Sequence, residues 1–350
     1  MRRIHERTEN AAALVVRILT VNAGSTSLKL EAYELSAALP PIGEPPEPVA
    51  RYDALEAAVA RDFDAVAHRV VRVPDDWPAV KRLDPQAQSL IADVGSDAPL
   101  HDAPALRAVA AIRAAHPDVP QYAVADGAFH RTLAPAAYTY AIPAELTRAG
   151  LRRRGYHGLS HEYAAHRAAW QAGHDDPRGL RIVTLHLGGG SSLCAVRDGA
   201  SVDTTMGYTP LEGIPMATRS GSVDPGLLVH LLRGGMAVDA LEEMLEHRSG
   251  LLGISGRSGD VRELLAAGDD PGAQLALDVF VWRTRAALGA MIAVLGGADL
   301  IAFTGGIGEN AAVLRLQILD GAGGWGAPPA QVVAARENWM LARAVAIAGG

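Results

Sequence analysis

The sequence predicts an α/β protein made of two related halves, and glycine-rich turns that follow apolar strands carry this prediction. These turns are Asn22-Ala23-Gly24-Ser25-Thr26-Ser27, Leu187-Gly188-Gly189-Gly190-Ser191-Ser192 and Phe303-Thr304-Gly305-Gly306-Ile307-Gly308-Glu309-Asn310. At one constant offset Gly24 falls on Gly189, Ser27 on Ser192 and Leu28 on Leu193, which indicates a duplicated half-domain with one hairpin per copy. Glycine lets the backbone approach a polyphosphate closely, and turn amides and hydroxyls are donors. The turns therefore predict phosphate-binding loops.

The first half alternates strands and helices. Residues 14–33 predict a strand, the Gly24 turn and a second strand, and the proline-rich stretch 39–49 predicts an exposed loop. A short strand is expected over 65–71 and a helix over 103–116, where Leu106, Val109 and Ile112 have helical spacing. The strand 122–125 ends at Asp126, and an acid at the carboxyl end of a strand is well placed for chemistry.

The second half repeats this alternation. A polar, His-rich corner over 152–161 is a candidate domain junction, and a helix is expected from Glu162 towards Gln171. Strands over 182–187 and 193–196 flank the second turn, and the longest apolar helical pattern runs over 272–295. A strand over 300–303 leads into the third turn, whose glycines would hold a nucleotide at a helix N-terminus.

Composition bounds the class of protein. The chain has 350 residues, 49% of them hydrophobic, which favours two domains with large cores. Its net charge is −7 without a long basic run, so nucleic acid is not an expected partner. A single cysteine, Cys194, is expected to fill a strand position and fits a reducing cytoplasm. Residues 1–17 are expected to be an extension, because the apolar stretch 11–16 is too short for a signal peptide or a membrane span.

The chemistry-bearing residues favour phosphoryl transfer. The chain has no P-loop sequence, no spaced Cys/His set for structural zinc and no G-x-S-x-G elbow. Arginines, histidines and aspartates instead lie in polar clusters beside apolar strands, at His68-Arg69, His101, Asp126, His157, His161 and Thr218-Arg219-Ser220-Gly221. Arginines, imidazole N–H groups and a carboxylate-held Mg²⁺ can stabilise the negative charge that a transferring phosphoryl group spreads over its oxygens.

Ordered motifs across nearly the whole chain resemble those of the acetokinase family. They are Val21 to Lys29, His68-Arg69-Val70-Val71, Pro99-Leu100-His101, Asp126 to His130, Arg153 to His161, His186 to Ser192, Met206 to Ser220, Ser249 to Ser255 and Thr304 to Asn310. The resemblance implies an actin-like, sugar-kinase-like (ribonuclease H-like) fold: two duplicated α/β domains with a cleft between them. The expected domains are 16–127 with 338–350, and 128–337, and the expected assembly is a homodimer.

The implied reaction is the reversible, Mg²⁺-dependent (or Mn²⁺-dependent) transfer of a phosphoryl group from ATP to acetate, giving acetyl phosphate and ADP. Transfer would be direct and in line, so that catalysis consists of positioning and charge stabilisation. Propionate or butyrate kinase is the alternative of similar chemistry, since the sequence does not measure the acyl pocket. A catalytically weakened, nucleotide-binding regulator of the same fold is the alternative from another class.

The resemblance also implies roles for individual residues. Arg69 and Arg219 would grip the carboxylate and the phosphoryl group, His157 would stabilise the phosphoryl group, and Asp126 would position substrate. The metal-side residues would be Asn22 and Glu337. The nucleotide would contact Ser25, Ser27, Lys29, His186, Gly188, Gly189, Gly190, Asp260, Arg262, Gly306, Ile307, Gly308 and Asn310. The acyl pocket would consist of Val71, Leu100, Tyr156 and Pro210, with His101 and His161 as supporting histidines.

Several positions depart from the family pattern. Arg72-Val73-Pro74 replaces the usual His-Gly-Gly, and Gly189 stands where an asparagine is usual, which removes one amide donor near phosphate. Tyr156 replaces a phenylalanine and adds a hydroxyl beside the expected acyl pocket. The region before Glu337 is shortened to 321–335. The departures at Gly189 and Val73-Pro74 are the support for the regulator alternative, and the retained Asn22, Arg69, Asp126, His157 and Arg219 speak against it.

Overall fold

The computed structural model describes residues 15–23, 28–95, 99–320 and 328–349, of which 94–95 and 99–103 are described by their backbone alone. The predicted roles of Ser25 and Ser27, and those of the Leu100 and His101 side chains, lie outside this description. So does most of the expected N-terminal extension, although Val16 and Arg17 already belong to the first strand.

Strands in the described residues are β1 (Val16–Ala23), β2 (Leu28–Leu35), β3 (Ala50–Tyr52), β4 (Ala65–Val70), β5 (Val80–Arg82), β6 (Gln121–Ala125), β7 (Arg181–Leu187), β8 (Ser191–Arg197), β9 (Ala200–Thr204), β10 (Leu300–Thr304) and β11 (Ala330–Val332). Helices are α1 (Leu55–Val59), α2 (Pro85–Gly95), α3 (Pro99–Ala115), α4 (Pro135–Tyr138), α5 (Ala144–Arg148), α6 (Gly158–Gln171), α7 (Pro225–Arg233), α8 (Val238–His247), α9 (Gly250–Ser255), α10 (Val261–Ala266), α11 (Pro271–Leu295), α12 (Gly305–Asn310), α13 (Ala312–Leu319) and α14 (Glu337–Gly349). A 3-10 turn covers Asp126–Thr132.

The described chain divides into two compact units. One contains the described residues up to Pro40, Pro46–Val124 and the segment from Asn338; the other contains Pro41–Pro45 and Ala125–Glu337. The described strands of the first unit form a sheet of order β3-β2-β1-β4-β6-β5, and those of the second form a sheet of order β11-β10-β7-β8-β9.

The two sheets share a core topology. In each, an antiparallel hairpin (β1–β2 or β7–β8) is extended by a third antiparallel strand (β3 or β9). On the other side the first hairpin strand pairs in parallel with a later strand, β4 or β10, after a helical crossover. The predicted α/β class with a duplicated half is confirmed.

The detailed alignment of the two hairpins was wrong at their second strands. Ala23 pairs with Leu28, whereas Leu187 pairs with Ser191, so the second connection is one residue shorter. One constant offset therefore cannot align both strands of the two hairpins. Burial agrees, because Leu193 is buried whereas Leu28 is exposed.

The longest helix, α11, covers the sheet of the second unit. The Asp270 side chain caps its N-terminus by accepting from Ala273 N, and Gly296 ends it with φ 69°. Its inner face packs on β8 and α9 around Phe280 and Leu288, both fully buried. Cys194 is buried in β8, as predicted. None of the described helices combines the length and apolar character that a bilayer crossing requires.

Candidate active site

Asp126 fixes the backbone of His157. Asp126 directly follows β6 and is buried, and its Oδ2 accepts a hydrogen bond from the backbone N–H of His157 at 2.8 Å. His157 has left-handed backbone geometry, φ 55° and ψ 27°, immediately before α6. A Cβ at the next residue, Gly158, would collide with the Asp126 carbonyl oxygen, so glycine is required there.

The imidazole of His157 lies against the second glycine turn. Its Nδ1 is 2.9 Å from Ser192 Oγ on β8, and its ring stacks on that of His186, with centroids 4.3 Å apart. His186 Nδ1 is in turn 2.7 Å from the hydroxyl of Ser160. A Cβ at Gly190 would lie only 3.2 Å from His157 Nε2, so the turn passes close to the ring.

Two further histidines are fully enclosed behind this ring. His161 joins Thr184 Oγ1 on β7, 2.7 Å away, to Ser192 Oγ, 2.8 Å away. His130 lies 2.9 Å from both Ser201 Oγ and the Tyr156 carbonyl oxygen. Burial lowers the pKa of His130 to about 4 and holds the pKa of His161 well below its ordinary value. Both rings are neutral at pH 7 and act on the site through hydrogen bonds.

Arg219 is held by an acid and by a helix terminus. Its Nε lies 3.0 Å from Glu246 Oε2 on α8, and both side chains are largely buried. Residues 216–219 form a tight turn whose carbonyl oxygens accept hydrogen bonds from the backbone N–H groups of Ser249, Leu251 and Leu252 at 2.8–2.9 Å. Gly250 has φ 59°, and a Cβ there would collide with Met216 O. The start of α9 thus sets where the guanidinium points.

The second and third glycine turns lie together. Gly305 has φ 78°, and a Cβ there would come within 2.7 Å of Leu187 O at the end of β7. Gly189 is exposed at the tip of the second turn, and its carbonyl oxygen accepts from Ala217 N at 3.2 Å. Asn310 Nδ2 donates to Gly306 O at 2.8 Å, closing α12.

The other predicted nucleotide residues lie on one helix start. Asp260 caps α10 by accepting from Arg262 N at 2.8 Å, and its carboxylate also pairs with the Arg262 guanidinium. The Arg262 side chain is 89% exposed. Gly259 packs against Ala217, which places this helix start near the Arg219 turn.

The predicted acyl residues of the second unit are buried. The Tyr156 side chain is enclosed, and its hydroxyl donates to Tyr208 O at 2.6 Å. The hydroxyl that distinguishes this chain from the family pattern therefore has a backbone partner. Pro210 is also buried, two residues beyond Tyr208.

The remaining predicted residues lie on the first sheet. Asn22 is buried near the end of β1, Arg69 and Val71 are half-buried on or after β4, and Lys29 is exposed on β2. Glu337 is half-buried at the start of α14.

Within the second unit the structure thus gathers Asp126, His157, His186, Gly190 and Arg219. Sequence reasoning assigned no role to three residues that hold this group: Glu246, Ser160 and Thr184. Ser160 stands three residues after His157, so its place on the same helix face was a usable signal. Glu246 and Thr184 reach the site through tertiary packing, and no local pattern marks them.

Comparison with known proteins decides the family. The family model described as "Acetokinase family" matches residues 52–330. The chain belongs to the acetokinase family. It is 47% identical over 258 residues to the acetate kinase of Gloeobacter violaceus, covering 73% of this chain and 64% of that protein. It is 38% identical to the acetate kinase of Acaryochloris marina, with 87% of each chain covered.

Solved structures of this family have the same fold. The Porphyromonas gingivalis acetate kinase aligns with a TM-score of 0.80 at 30% identity, covering 94% of this chain and 98% of that one. A propionate kinase from Francisella tularensis subsp. tularensis aligns with a TM-score of 0.80 at 28% identity, with the same coverage. The alignments with the first curated relatives span slightly under two thirds of those proteins' length.

Proposed function

We propose that this acetokinase-family chain transfers a phosphoryl group reversibly between ATP and acetate, forming acetyl phosphate and ADP. One observation supports this above the others: His157 and Arg219 converge on one glycine of a phosphate-type turn. A Cβ at Gly190 would lie 3.2 Å from His157 Nε2 and 3.5 Å from an Arg219 terminal nitrogen. An imidazole and a guanidinium beside one turn can stabilise an anion whose negative charge grows during the reaction.

The residues would divide the work between positioning and charge stabilisation. Arg219, held at Nε by Glu246, would direct its terminal nitrogens at the phosphoryl oxygens in a fixed orientation. His157, fixed by Asp126 through its backbone, would donate from its ring to the same group. Arg69 would hold the acceptor carboxylate, so that its oxygen attacks phosphorus in line and no covalent enzyme intermediate forms.

Nucleotide binding would rest on the glycine turns and α12. Gly189 and Gly306 have open space where a Cβ would project, so a polyphosphate can approach their backbone N–H groups. The other nucleotide contacts carried over from the family pattern, including Lys29, His186, Asp260 and Arg262, are part of this proposal.

The metal is proposed to be Mg²⁺ or Mn²⁺, with Asn22 and Glu337 on its side of the site. In the described part of the chain, no three His, Cys, Asp or Glu side chains cluster as a metal cage. An amide oxygen and a carboxylate are nevertheless the hard donors that Mg²⁺ takes alongside phosphate oxygens and water. The bound ion would neutralise phosphate charge.

We also propose a homodimer, formed through an apolar surface on α7 and α11. Leu275, Trp282 and Val294 on α11 are 55%, 68% and 45% exposed, and no residue of α7 is buried. An open cavity of about 440 Å³ lies between Val223, before α7, and Ala286 on α11. Such apolar exposure favours a partner surface. Trp282→Asp should yield monomers in light scattering, and an unchanged mass would exclude this surface.

The domain boundaries 16–127 with 338–350, and 128–337, remain part of the proposal. The two compact units of the described chain support them. A cytoplasmic location is also proposed, supported by the single, buried Cys194.

An acyl-hydroxamate assay with ATP and acetate, propionate or butyrate tests the proposed reaction. We expect acetate to be preferred and propionate to be intermediate, because Tyr156 and Pro210 are enclosed and bulky. Each methylene is worth about 1–3 kcal/mol of transition-state binding, which is roughly a 10–200-fold change in kcat/KM, so the preference should be graded. Better use of butyrate would reassign the substrate. Absence of turnover with all three acids would overturn the proposed activity and favour a nucleotide-binding regulator.

A further inference from the structure

Four side chains form an unbroken hydrogen-bonded chain that ends at His157. Thr184 Oγ1 is 2.7 Å from His161 Nδ1, His161 Nε2 is 2.8 Å from Ser192 Oγ, and Ser192 Oγ is 2.9 Å from His157 Nδ1. At the far end, the Thr184 hydroxyl also lies 3.5 Å from the Cys194 carbonyl oxygen. The resemblance to the family implies only a supporting role for His161 and no role for Thr184.

Burial restricts how protons can be distributed along this chain. Thr184, His161 and Ser192 have no exposed surface, and His161 is neutral, so its ring carries a single N–H. The Ser192 hydroxyl has one proton and two imidazole neighbours. It must therefore donate to one ring and accept from the other, since an unused buried donor is costly.

These limits leave two proton orders. In the first, His157 Nδ1 donates to Ser192, Ser192 donates to His161 Nε2, and His161 Nδ1 donates to Thr184. The Thr184 hydroxyl then turns to Cys194 O. In the second order every bond is reversed: Thr184 donates to His161, His161 to Ser192, and Ser192 to His157 Nδ1. A neutral His157 then carries its proton on Nε2, the nitrogen beside Gly190.

We propose that Thr184 and His161 are positioning residues that, through Ser192, set which nitrogen of His157 carries its proton. Both His161 and His157 are bonded to the Ser192 hydroxyl, and their ring centroids are 6.5 Å apart. The first order also accommodates a cationic His157, because only there can its Nδ1 donate to Ser192. The consequence for phosphoryl transfer rests on the proposed function, but the coupling of proton positions does not.

His130, in contrast, cannot reverse the direction of its hydrogen bonds. Its Nε2 faces the Tyr156 carbonyl oxygen, which can only accept, so the neutral ring holds its proton there and accepts from Ser201 at Nδ1. His161 faces hydroxyls on both sides, and a hydroxyl can donate or accept. Of these two histidines, only His161, within the Thr184–His161–Ser192 chain, can reverse the direction of its hydrogen bonds.

Other groups also bear on His157. Asp126 holds its backbone N–H, and His186 stacks on its ring. His161 is bonded to the same Ser192 hydroxyl, and Arg219 lies beside Gly190. Because these groups influence any pH profile, the decisive readout is the position of the proton and not an activity optimum.

The experiment compares Thr184→Val, which has nearly the same shape but no hydroxyl, with Thr184→Ser, which keeps it. Nitrogen NMR of ¹⁵N-histidine-labelled full chain reports the Nδ1–H and Nε2–H populations of His157. Valine offers no acceptor, so His161 should carry its proton on Nε2 and donate to Ser192, which drives neutral His157 to the Nε2–H form. Thr184→Ser should match the unmodified protein. An Nδ1–H population of neutral His157 that persists undiminished in Thr184→Val would overturn the proposal.

A second variant keeps the test decisive if valine disturbs folding. Ser192→Ala breaks the chain next to His157, so the populations of His157 should change there and should not respond further when Thr184→Ser or Thr184→Val is added. A further response would show that the coupling does not run through Ser192. No turnover in any form would refute the proposed function, while the NMR result still decides the proton coupling.

Discussion

The Arg219 guanidinium is held at Nε by Glu246, 3.0 Å away, and one of its terminal nitrogens lies 3.5 Å from where a Cβ at Gly190 would be. Only 12% of the Arg219 side chain and 17% of the Glu246 side chain are exposed, so the pair is shielded from solvent. A shielded, oriented guanidinium is more effective on an oxyanion than a mobile one. Substitution of Arg219 is therefore the most direct test of the site.

Arg219→Ala and Arg69→Ala should each lower kcat by ~10³–10⁵-fold, the range that arginines contribute to phosphoryl transfer. His157→Ala should cost less. Steady-state kinetics on folded protein, verified by circular dichroism, measures this. Arg178→Ala is the matched control, because that side chain is 82% exposed and paired only with Asp176 among its described contacts. Near-normal turnover in either active-site variant would remove the proposed mechanism.

Gly250→Ala should disable the Arg219 turn. Gly250 and Gly256 flank α9 and have similar geometry, φ 59° and 62°, so alanine costs about 1–2 kcal/mol of backbone strain at either position. A Cβ at Gly250 also collides with Met216 O, whereas one at Gly256 meets nothing. Turnover should fall in Gly250→Ala and stay close to normal in Gly256→Ala. Equal loss in both would mean that the helix start does not position Arg219.

Gly189→Asn should restore the amide donor usual in the family. Gly189 does not need positive φ, and a Cβ there meets open space, so the substitution should fold without strain. One added hydrogen bond of about 1 kcal/mol predicts a several-fold gain in ATP affinity or turnover. Isothermal titration with ATP and steady-state kinetics measure it, with Gly189→Ala as the control that fills the position without a donor. No difference between the two variants would exclude the turn as a phosphate contact.

Stability should fall as the pH is lowered from about 6.5 to about 4. Burial lowers the pKa values of His68 and His130 to about 4, so between these pH values the unfolded chain binds protons that the folded chain does not. The stabilisation is complete above pH 6.5, and each histidine can cost roughly 3 kcal/mol by pH 4. Urea unfolding across this range should show a shallower decline for His68→Gln than for His230→Gln, an exposed control. Equal slopes would contradict the assignment.

The sequence by itself determined the α/β class and the duplicated halves, and it predicted most residues of the candidate site. Apolar runs and helical spacing predicted β6, β7, β8, α3 and α11 because these segments are apolar or repeat apolar residues with the period of their structure. The motifs predicted Asp126, His157 and the glycine turns because their residues are neighbours along the chain, so that local sequence carries the signal.

Tertiary structure alone decided what holds those residues. The hairpin register ruled out one constant offset between the two halves, because the connections between the paired strand ends differ by one residue. Glu246 reaches Arg219 from a separate helix, and Thr184 reaches His157 only through two intermediate side chains. Such contacts join residues far apart in sequence, and only packing of the folded chain brings them within hydrogen-bonding distance.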